Sequence, residues 1–520
     1  MLRLSLCLIV KDEAELLPRF LEQARGLWDE LVAVDTGSSD DTPRLLAEAG
    51  ARLLHRPWTG DFAAARNHGL DAATGDWIAV LDPDELVSPE LVAEVRALLQ
   101  DPQAGAATVR MVNRLPHGHV RDARLLRLFR SDPAVRFRHA IHEDVSEAVL
   151  AHLARTGRRL VHLEGAIDHL GYVRSRAAAR DKKARDVTIL EACLARDPLD
   201  LYAHLKRLEQ ARFWGDRALW ARAAADARRA LDRAPRALAQ SPHGGELVAL
   251  MADGLARQPG EALALLERYG AQAVPSAPLL LRRGELLERV GQEERARADF
   301  ERCLGLAHHT PHRQLATVRP LLGLARLALA AGRLPEALGR VEQALGQAPR
   351  DPEALLAALA LHRAGGGAVA AAAFAAAHGA RHGTSTELSA AVGEERLRAG
   401  DAAGALAPLA QAAGTPPHGA AARLLALARL AAGDVAGARA LALALLPEAP
   451  EAGLVALLCD LCEGKDSALE LELEPDEAER SLREAAGLLR AAAGPPVLAA
   501  LRAAAPALEG LFPWLPGSLA

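Results

Sequence analysis

The sequence predicts an α/β domain with a mainly parallel sheet at the N-terminus, followed by an all-α solenoid of paired helices. Over residues 1–175, short apolar β-compatible runs alternate with segments of helical periodicity. Further along, a glycine recurs at spacings of 41, 34, 34 and 33 residues, which is typical of stacked helix pairs. Aromatic residues make up only 3% of the chain, and the second half is rich in alanine. Small side chains of this kind favour closely packed helices over a β-sandwich.

Length and composition limit what the chain can be. Its 520 residues suggest about three domains at roughly 150 residues each. Hydrophobic residues at 50% and charged residues at 25% exclude general disorder. A net charge of −5 argues against a general binder of nucleic acid or anionic membranes. Five cysteines without a repeating spacing indicate a reducing compartment.

The N-terminal segment MLRLSLCLIVKDE reads as a strand rather than a signal peptide, because acidic residues and no small-residue cleavage site follow its apolar run. No charge-free apolar stretch approaches the length of a membrane span. We therefore expect a cytoplasmic protein without a transmembrane segment.

The N-terminal part alternates strand and helix in a regular order. Strands are predicted at 2–10, 31–34, 51–54 and 77–81, and helices at 13–28, 43–49 and 61–73. A later apolar strand runs from Leu160 through Ile167. This alternation predicts a sheet covered by helices, with ligands bound at the carboxyl ends of the strands.

Two acidic turns follow predicted strands and should therefore meet at that edge. One runs from Asp35 to Asp41, and the other is Asp82-Pro83-Asp84-Glu85. Two carboxylates one residue apart suit Mg²⁺ or Mn²⁺, which completes its coordination with phosphate oxygens and water. The pair Asp82 and Asp84 therefore suits a nucleoside diphosphate bound through a metal. Acidic turns on plain solvated surfaces are the alternative.

Three segments of the first third of the chain carry a resemblance to a known family. They are LSLCLIVKDE, VAVDTGSSDDT and RPWTGDFAAARNHGLDAATGDWIAVLDPDE, in that order. Together they resemble the start of a family 2 glycosyltransferase, the inverting group with the Rossmann-like glycosyltransferase-A fold. The family usually has Asn-Glu where this chain has Asp12-Glu13, and Asp-Ala-Asp-Glu at residues 82–85. Neither departure removes a carboxylate that the chemistry needs.

The resemblance implies roles in binding the nucleotide. Asp35 would contact the base, and Thr36 and Gly37 would let the backbone approach it. Arg66 and Asn67 would line the nucleotide pocket. The plainer alternatives are a turn or N-cap carboxylate for Asp35 and a solvated helix residue for Arg66.

The resemblance also implies a metal and diphosphate site. Asp82 would hold the ribose or the metal, and Asp84 would ligate the metal bound to the diphosphate. His169 is a candidate third ligand, with a hydrogen-bonded structural histidine as the alternative. Arg127 and Arg130, in RLFR, are expected to face a diphosphate or an anionic acceptor. For this arginine-rich stretch, solvated hairpins are the alternative.

An inverting transfer needs one group that takes the acceptor's proton while the acceptor oxygen attacks the anomeric carbon. Glu143 or Asp144 is the candidate base. Glu143 is preferred because the related proteins have Ile-His-Glu at this point. An acidic pair at a strand end, without a catalytic role, is the alternative.

The second half of the chain shows a regular pattern of small residues. Five glycines each end a helical run: Gly291, Gly332, Gly366, Gly400 and Gly433. Five residues after each of them lies an alanine: Ala296, Ala337, Ala371, Ala405 and Ala438. A period near 34 with these features resembles the tetratricopeptide repeat, in which the small residue lets two helices approach closely. Gly284 and Phe300 extend the match in the best unit.

These patterns predict four regions. They are a glycosyltransferase catalytic domain at 1–175, a helical connector at 176–240, tetratricopeptide-like repeats at 241–450 and a helical cap at 451–520. Such solenoids commonly bind peptides or partner proteins on their concave face. Packing against the catalytic domain, or dimerisation, is the alternative use of the array.

The leading hypothesis is a metal-dependent inverting glycosyltransferase that uses a nucleoside-diphosphate sugar, with UDP favoured by resemblance. Its acceptor would be a glycan, a lipid-linked glycan, a peptide or a protein, bound or positioned with help from the repeats. The alternative is a tetratricopeptide scaffold with a catalytically inactive transferase-like domain. A nucleotidyltransferase is disfavoured because no Gly-rich, Lys-containing loop follows the first strand.

Overall fold

The computed structural model describes residues 2–114, 120–169, 176–306, 313–465 and 475–504. The chain divides into two compact units. The first comprises Met1–Gly254 with Ala271–Val274, and the second comprises Leu255–Gly270 with Pro275–Ala520. The region boundaries expected at residues 175, 240 and 450 stay predictions.

The first unit contains a sheet whose eight strands are β1 (Leu4–Val10), β2 (Glu30–Asp35), β3 (Arg52–His55), β4 (Trp77–Val80), β5 (Glu85–Val87), β6 (Ala104–Arg114), β7 (Val120–Arg130) and β8 (Arg159–His169). Their order is β3-β2-β1-β4-β7-β6-β8-β5. The pairs β3–β2, β2–β1, β1–β4 and β6–β8 are parallel, whereas β4–β7, β7–β6 and β5–β8 are antiparallel. The sheet is therefore mixed, with the expected parallel half formed by the first four strands.

The helices of the first unit are α1 (Leu17–Gln23), α2 (Thr42–Glu48), α3 (Phe62–Ala72), α4 (Pro89–Leu98), α5 (Ser146–Thr156), α6 (Arg176–Arg196), α7 (Leu201–Phe213), α8 (Arg217–Arg233), α9 (Ala237–Gln240) and α10 (Gly244–Asp253). Most predicted elements are confirmed within a few residues. The helix predicted at 13–28 is shorter because the chain turns at Gly26, where φ is 82°.

Helices cover both faces of the sheet because successive side chains of a strand point to opposite sides. On β1, Leu6 and Leu8 pack with Phe20 of α1 in one apolar cluster. Cys7 points the other way and packs with Val149 of α5 in a second cluster. Each fully buried Leu or Val contributes roughly 1.5–3 kcal/mol to folding. The two clusters hold the strands in register.

Strand register sets the position of the acidic turns. Val10 pairs with Asp35 across β1 and β2, and Cys7 pairs with Val80 across β1 and β4. The turn after β4 therefore emerges at the same edge of the sheet as the turn after β2. This arrangement confirms that both acidic turns follow the carboxyl ends of strands, on the two sides of β1.

The second unit consists of helices: α11 (Pro259–Gly270), α12 (Ala277–Arg289), α13 (Glu293–Leu304), α14 (Arg313–Ala316), α15 (Val318–Ala330), α16 (Leu334–Gln347), α17 (Pro352–His382), α18 (Thr386–Arg398), α19 (Ala402–Ala413), α20 (Gly419–Ala431), α21 (Val435–Leu445), α22 (Gly453–Cys462), α23 (Pro475–Ala492) and α24 (Pro495–Ala504). Neighbouring helices pack in pairs, including α12 with α13, α15 with α16, α18 with α19, and α20 with α21.

The predicted repeat pattern is confirmed at its small residues. All five alanines of the pattern are fully buried: Ala296, Ala337, Ala371, Ala405 and Ala438. Gly284 of α12 lies against Phe300 of α13, so closely that a β-carbon at Gly284 would be 2.6 Å from the Phe300 ring. The absence of a side chain there lets the paired helices approach. The first glycine interval is seven residues longer than the next, which indicates an insertion at 308–313; that segment, except Arg313, and residues 505–520 of the expected cap lie outside the described residues.

Helix α17 contains the chain reversal that the sequence placed at Gly366. The backbone leaves helical geometry at Gly366 and Gly367, and Gly367 has the left-handed φ of 71°. Rings of His362 and Phe374 stack with centroids 4.5 Å apart, whereas a straight helix would separate them by about 18 Å along its axis. The segment is therefore two antiparallel helices.

By length and hydropathy alone, α17 is also the one helix among the described residues that could span a membrane. One third of its most apolar 18-residue window is buried within the protein. Its reversal at Gly367 means that it does not form a single straight span.

Candidate active site

A cavity of about 590 Å³ opens at the carboxyl ends of β1, β2 and β4. Its lining includes half of the chemistry-bearing residues expected from the sequence: Thr36, Arg66, Asp82, Asp84, Glu143 and His169. The other expected residues, Asp35, Gly37, Asn67, Arg127, Arg130 and Asp144, do not line it. Arg130, expected to face a diphosphate, instead donates to the backbone carbonyls of Ala104 and Asp101. The structure thus brings together the expected diphosphate and base residues and leaves several neighbours in supporting positions.

Arg66 connects the two carboxylates at the centre of the cavity. Its Nε donates to Oε1 of Glu143 at 2.6 Å, and its Nη2 donates to Oδ1 of Asp82 at 3.1 Å. The Arg66 side chain is only 7% exposed and lies over the ring of Phe137. Its third nitrogen, Nη1, is buried without a hydrogen-bond partner in the structure. An unsatisfied buried donor lining a cavity suits an oxygen of a bound ligand.

The charges around Asp82 favour its ionised form. Exclusion of water opposes ionisation, but the positive charges of Arg66 and Arg127 outweigh it and lower the pKa of Asp82. For Arg66, burial also opposes the charged form, and the carboxylates of Asp82 and Glu143 raise its pKa in compensation. Asp82 and Arg66 are therefore both held in their charged forms.

Asp84 and His169 lie side by side, with His169 Nε2 3.4 Å from Oδ2 of Asp84. The pairing of β5 with β8, which matches Glu85 with His169, creates this proximity. The hydrogen bond to Asp84 raises the pKa of His169. A carboxylate oxygen and an imidazole nitrogen at this separation could both ligate one cation, and their role as metal ligands stays a prediction.

The donor set can be tested against Mg²⁺ or Mn²⁺. Among the residues that the structure describes, no group of three His, Cys, Asp or Glu side chains converges to form a closed metal cage. Such ions are commonly bound by one or two protein carboxylates together with substrate phosphates and water. Asp84 and His169, with Asp82 beside them in the same cavity, fit that mode of binding.

Glu85 and Arg127 form a buried support beneath the turn. Arg127 of β7 donates to Oε1 of Glu85, and Glu85 Oε2 accepts the backbone N–H of Asp82 at 3.2 Å. Burial raises the pKa of Glu85 to about 7, although Arg127 opposes the shift. Arg127 was expected to face the diphosphate. Because its guanidinium is engaged by Glu85 below the turn, it acts on Asp82 through the turn and through its charge.

The turn after β2 is fixed by its own carboxylates. Asp35 is 4% exposed, and its Oδ1 accepts the backbone N–H of Ser38 at 3.0 Å. The turn is tied to the loop after β1, because Asp12 Oδ1 accepts the N–H of Ser39 at 2.6 Å. Gly37 adopts φ 113°, which favours glycine. Thr36 alone of the three expected nucleotide residues in this turn reaches the cavity lining.

Asn67 and Asp144 shape the backbone around the cavity. Asn67 exchanges two 2.9 Å hydrogen bonds with the backbone of Phe137, which anchors the chain leading to Glu143. Asp144 Oδ1 accepts from the hydroxyl of Ser146 at 2.7 Å and from its backbone N–H at 3.1 Å, at the start of α5. Of the two candidate bases, Glu143 lines the cavity and Asp144 does not.

The sequence did not predict one wall of the cavity. Lys182, Arg185 and Asp186 of α6 line it, as do Trp58 and Phe62. Arg185 lies over the Phe62 ring at 5.2 Å. The sequence predicted this segment only as part of the helical connector at 176–240. The spacing of Trp58 and Phe62 at i, i+4, directly before the Arg66–Asn67 pair, was the available signal.

Comparison with known proteins agrees with this site. Residues 5–150 match the family model for glycosyl transferase family 2. This match confirms the resemblance that the motifs carry over the N-terminal segment. That segment contains both acidic turns, Arg66 and Glu143.

The chain is also similar in sequence to three curated proteins. It is 45% identical over 204 residues to a TPR repeat-containing protein of Synechococcus elongatus, covering 39% of this chain and 50% of that protein. It is 32% identical over 93 residues to an uncharacterized glycosyltransferase of Rickettsia felis, covering 18% and 32%. It is 25% identical over 196 residues to the SPbeta prophage-derived glycosyltransferase SunS of Bacillus subtilis, covering 37% and 45%. The chain spans half or less of the length of these relatives.

Proposed function

We propose that the protein is a metal-dependent inverting glycosyltransferase that moves a sugar from a nucleoside-diphosphate sugar, UDP-linked by preference, to an acceptor. The observation that supports this most directly is the single cavity in which Arg66 joins Asp82 to Glu143, with Asp84 and His169 beside them. The family 2 domain agrees with it. We propose a cytoplasmic location, and an acceptor that is a glycan, a lipid-linked glycan, a peptide or a protein.

In this proposal the chain's residues divide the work between the donor and the acceptor. Asp84 and His169 hold a divalent cation, with Asp82 directed to the cation or the donor ribose. When bound, that cation neutralises charge on the departing diphosphate. Thr36 and the turn of Asp35 and Gly37 border the nucleotide end.

Glu143 takes the proton of the acceptor hydroxyl as its oxygen attacks the anomeric carbon. The hydrogen bond from Arg66 holds the Glu143 carboxylate at the cavity, where it can accept the acceptor's proton. The same guanidinium also donates a hydrogen bond to Asp82. It therefore fixes the distance between the proposed base, Glu143, and the Asp82 carboxylate at the donor site. The free Nη1 of Arg66 is placed to donate to a ligand oxygen.

The direct test is a donor screen on the full chain. Purified protein is incubated with UDP-, GDP-, dTDP- and ADP-sugars, with MnCl2 or MgCl2, and both nucleoside diphosphate release and melting temperature are measured. We expect one sugar nucleotide to raise the melting temperature and to be turned over, with activity abolished by EDTA. Asp84→Asn should reduce turnover at least about 100-fold, whereas Asp71→Asn, at an exposed surface pair with Arg136, should not.

Glu143→Gln separates the base from the donor site. The amide cannot take a proton, so we expect donor-induced stabilisation to persist while transfer falls about 100-fold or more. If no sugar nucleotide shifts the melting temperature and Asp84→Asn behaves like the parent, the enzyme proposal fails. The second candidate, a tetratricopeptide scaffold with an inactive domain, would then be preferred, in keeping with the name of the Synechococcus relative.

A further inference from the structure

The loop that carries Glu143 is closed and conformationally unusual. Arg138 and Asp144 exchange two backbone hydrogen bonds, of 2.9 and 3.1 Å, at its base. Within it, His139 has φ 71° and His142 has φ 52°. Non-glycine residues rarely adopt this left-handed conformation, and they keep it only where the surroundings enforce it. Contacts from outside the loop must therefore hold these two residues in place.

Helix α7 supplies two of these contacts through Tyr202. The Tyr202 hydroxyl donates to the backbone carbonyl of His142 at 2.6 Å. The Tyr202 ring stacks on the ring of His139, with centroids 3.5 Å apart and planes 15° apart. His243 contacts both rings edge-on. Tyr202 therefore contacts both loop residues that have a left-handed φ angle.

Gln210, two turns further along α7, holds the His142 side chain. The indole N–H of Trp214 donates to Gln210 Oε1 at 2.9 Å. Because an indole can only donate, this bond fixes the orientation of the Gln210 amide. Its Nε2 then donates to His142 Nε2, which lies 3.0 Å away. His142 must accept at that nitrogen, so its ring is neutral with the proton on Nδ1.

We propose that Tyr202 and Gln210 are positioning residues for the catalytic base, fixing the loop so that Glu143 reaches Arg66. This inference rests on the proposed role of Glu143. It extends the catalytic machinery to helix α7, which lies beyond the matched family segment at 5–150. A further hydrogen bond to the loop, from the N–H of Phe62 to the carbonyl of Ala140 at 2.8 Å, comes from α3, the helix of Arg66. The loop that carries Glu143 is thus held both by α7 and by α3, the helix that carries Arg66.

The matched variants are Tyr202→Phe and Gln210→Met, which keep size and remove the hydrogen bonds. Tyr269→Phe, in the second unit and outside the cavity lining, is the control. Without any ligand, hydrogen–deuterium exchange measures the amides of residues 138–144. Loss of the Tyr202 bond should speed their exchange about tenfold, and Tyr269→Phe should leave it unchanged.

Kinetics with the sugar nucleotide found in the donor screen, in the presence of MnCl2, complete the test. We expect both α7 variants to lower kcat about tenfold while KM for the donor stays within about twofold, because the base moves and the donor site does not. In Gln210→Glu the carboxylate can only accept from His142, so the ring must carry a proton on Nε2 and its pKa should rise, which should shift the pH profile. The charged groups around His142 are Lys206, Asp186, Glu209 and Glu143.

The outcomes separate this inference from the proposed function. Unchanged loop exchange in both α7 variants overturns the inference. Faster exchange with parent-like kcat also overturns it, since the loop would then move without affecting the base. A parent protein that turns over no sugar nucleotide overturns the proposed function instead, and with it the catalytic part of this inference.

Discussion

At the scale of single residues, Arg66 is the group on which the site depends most. It is 7% exposed and makes ion pairs with Asp82 and Glu143. A buried charge is stable only while its partners are present, and removing one partner leaves the others uncompensated. Both carboxylates would lose their cation if Arg66 were replaced by an uncharged side chain. The arginine is thus part of the fold as well as part of the site.

We therefore predict that Arg66→Met lowers the free energy of unfolding by about 3–5 kcal/mol. Arg66→Lys keeps the charge but cannot reach both carboxylates with a planar fork, so it should retain more stability than Arg66→Met and still lose most of its activity. Urea unfolding followed by tryptophan fluorescence measures the first effect. Arg136→Met, at a surface pair with Asp71, should cost less than about 1 kcal/mol. Equal losses at the two arginines would contradict the assignment.

At the scale of helices and strands, the sequence predicted the parallel half of the sheet well, because each buried strand ends at a polar turn with helix-capping residues. It also predicted that the turns of Asp35 and Asp82 lie at the same edge of the sheet. It did not predict the α6 wall of the cavity. Lys182 and Arg185 lie in the segment predicted only as a helical connector, and the packing of neighbouring Ile189 and Leu190 against Ile141 brings them to the site.

For some site residues the motif predicted the residue correctly but not the groups that surround it. Arg127 has the expected identity and lies near the turn, yet its partner is Glu85. Which of two nearby carboxylates an arginine meets depends on strand pairing across β7, which no local pattern encodes. The repeat array was more predictable, since each buried alanine is fixed by its distance from a turn glycine.

The close packing of α12 and α13 gives a prediction at this scale. In Gly284→Ala the new methyl group would meet the Phe300 ring at 2.6 Å, so overpacking should destabilise the second unit by about 1–3 kcal/mol. Gly339 of α16 has no atom within 4 Å of a β-carbon placed there. Gly339→Ala should therefore stabilise the same unit by about 0.5–1 kcal/mol.

Thermal unfolding followed by far-ultraviolet circular dichroism measures both changes. Adding Phe300→Leu to Gly284→Ala should recover part of the loss, because the smaller side chain leaves room for the methyl group. If Gly284→Ala is as stable as Gly339→Ala, the two helices are further apart than the contact with Phe300 indicates.

At the scale of the whole molecule, the two units differ in composition in a way that allows them to be followed separately. Five of the six tryptophans lie before residue 254: Trp28, Trp58, Trp77, Trp214 and Trp220. Three of the histidines with a lowered pKa, His139, His204 and His243, also lie in the first unit. Tryptophan fluorescence therefore reports mainly on the unit whose stability these histidines affect.

Because these histidines have a lowered pKa in the folded protein, we predict that their contribution to the free energy of unfolding falls as the pH decreases. Burial lowers the pKa of His243, so the folded protein holds this ring neutral below the pKa of about 6.5 that it has when unfolded. The unfolded chain then binds more protons, and the ring's contribution to stability falls as pH decreases. Carboxylates with a lowered pKa, such as Asp29 and Asp132, lose theirs only below about pH 4. The window between pH 7.5 and 5.5 therefore isolates the histidines from these acids.

The measurement compares the parent with His243→Gln by urea unfolding at pH 7.5 and 5.5, with tryptophan fluorescence as the probe. A comparison is needed because the raised pKa values of Glu85 and His169 add stability as pH falls and partly mask the histidine effect. Removing a group that must stay neutral should make the loss of stability on acidification smaller in the variant, by up to about 1 kcal/mol. His162→Gln, at an exposed side chain, should follow the parent. An equal or larger loss in His243→Gln would show that the ring beside Tyr202 is charged in the folded protein, and the stacking of His139, Tyr202 and His243 would then need another explanation.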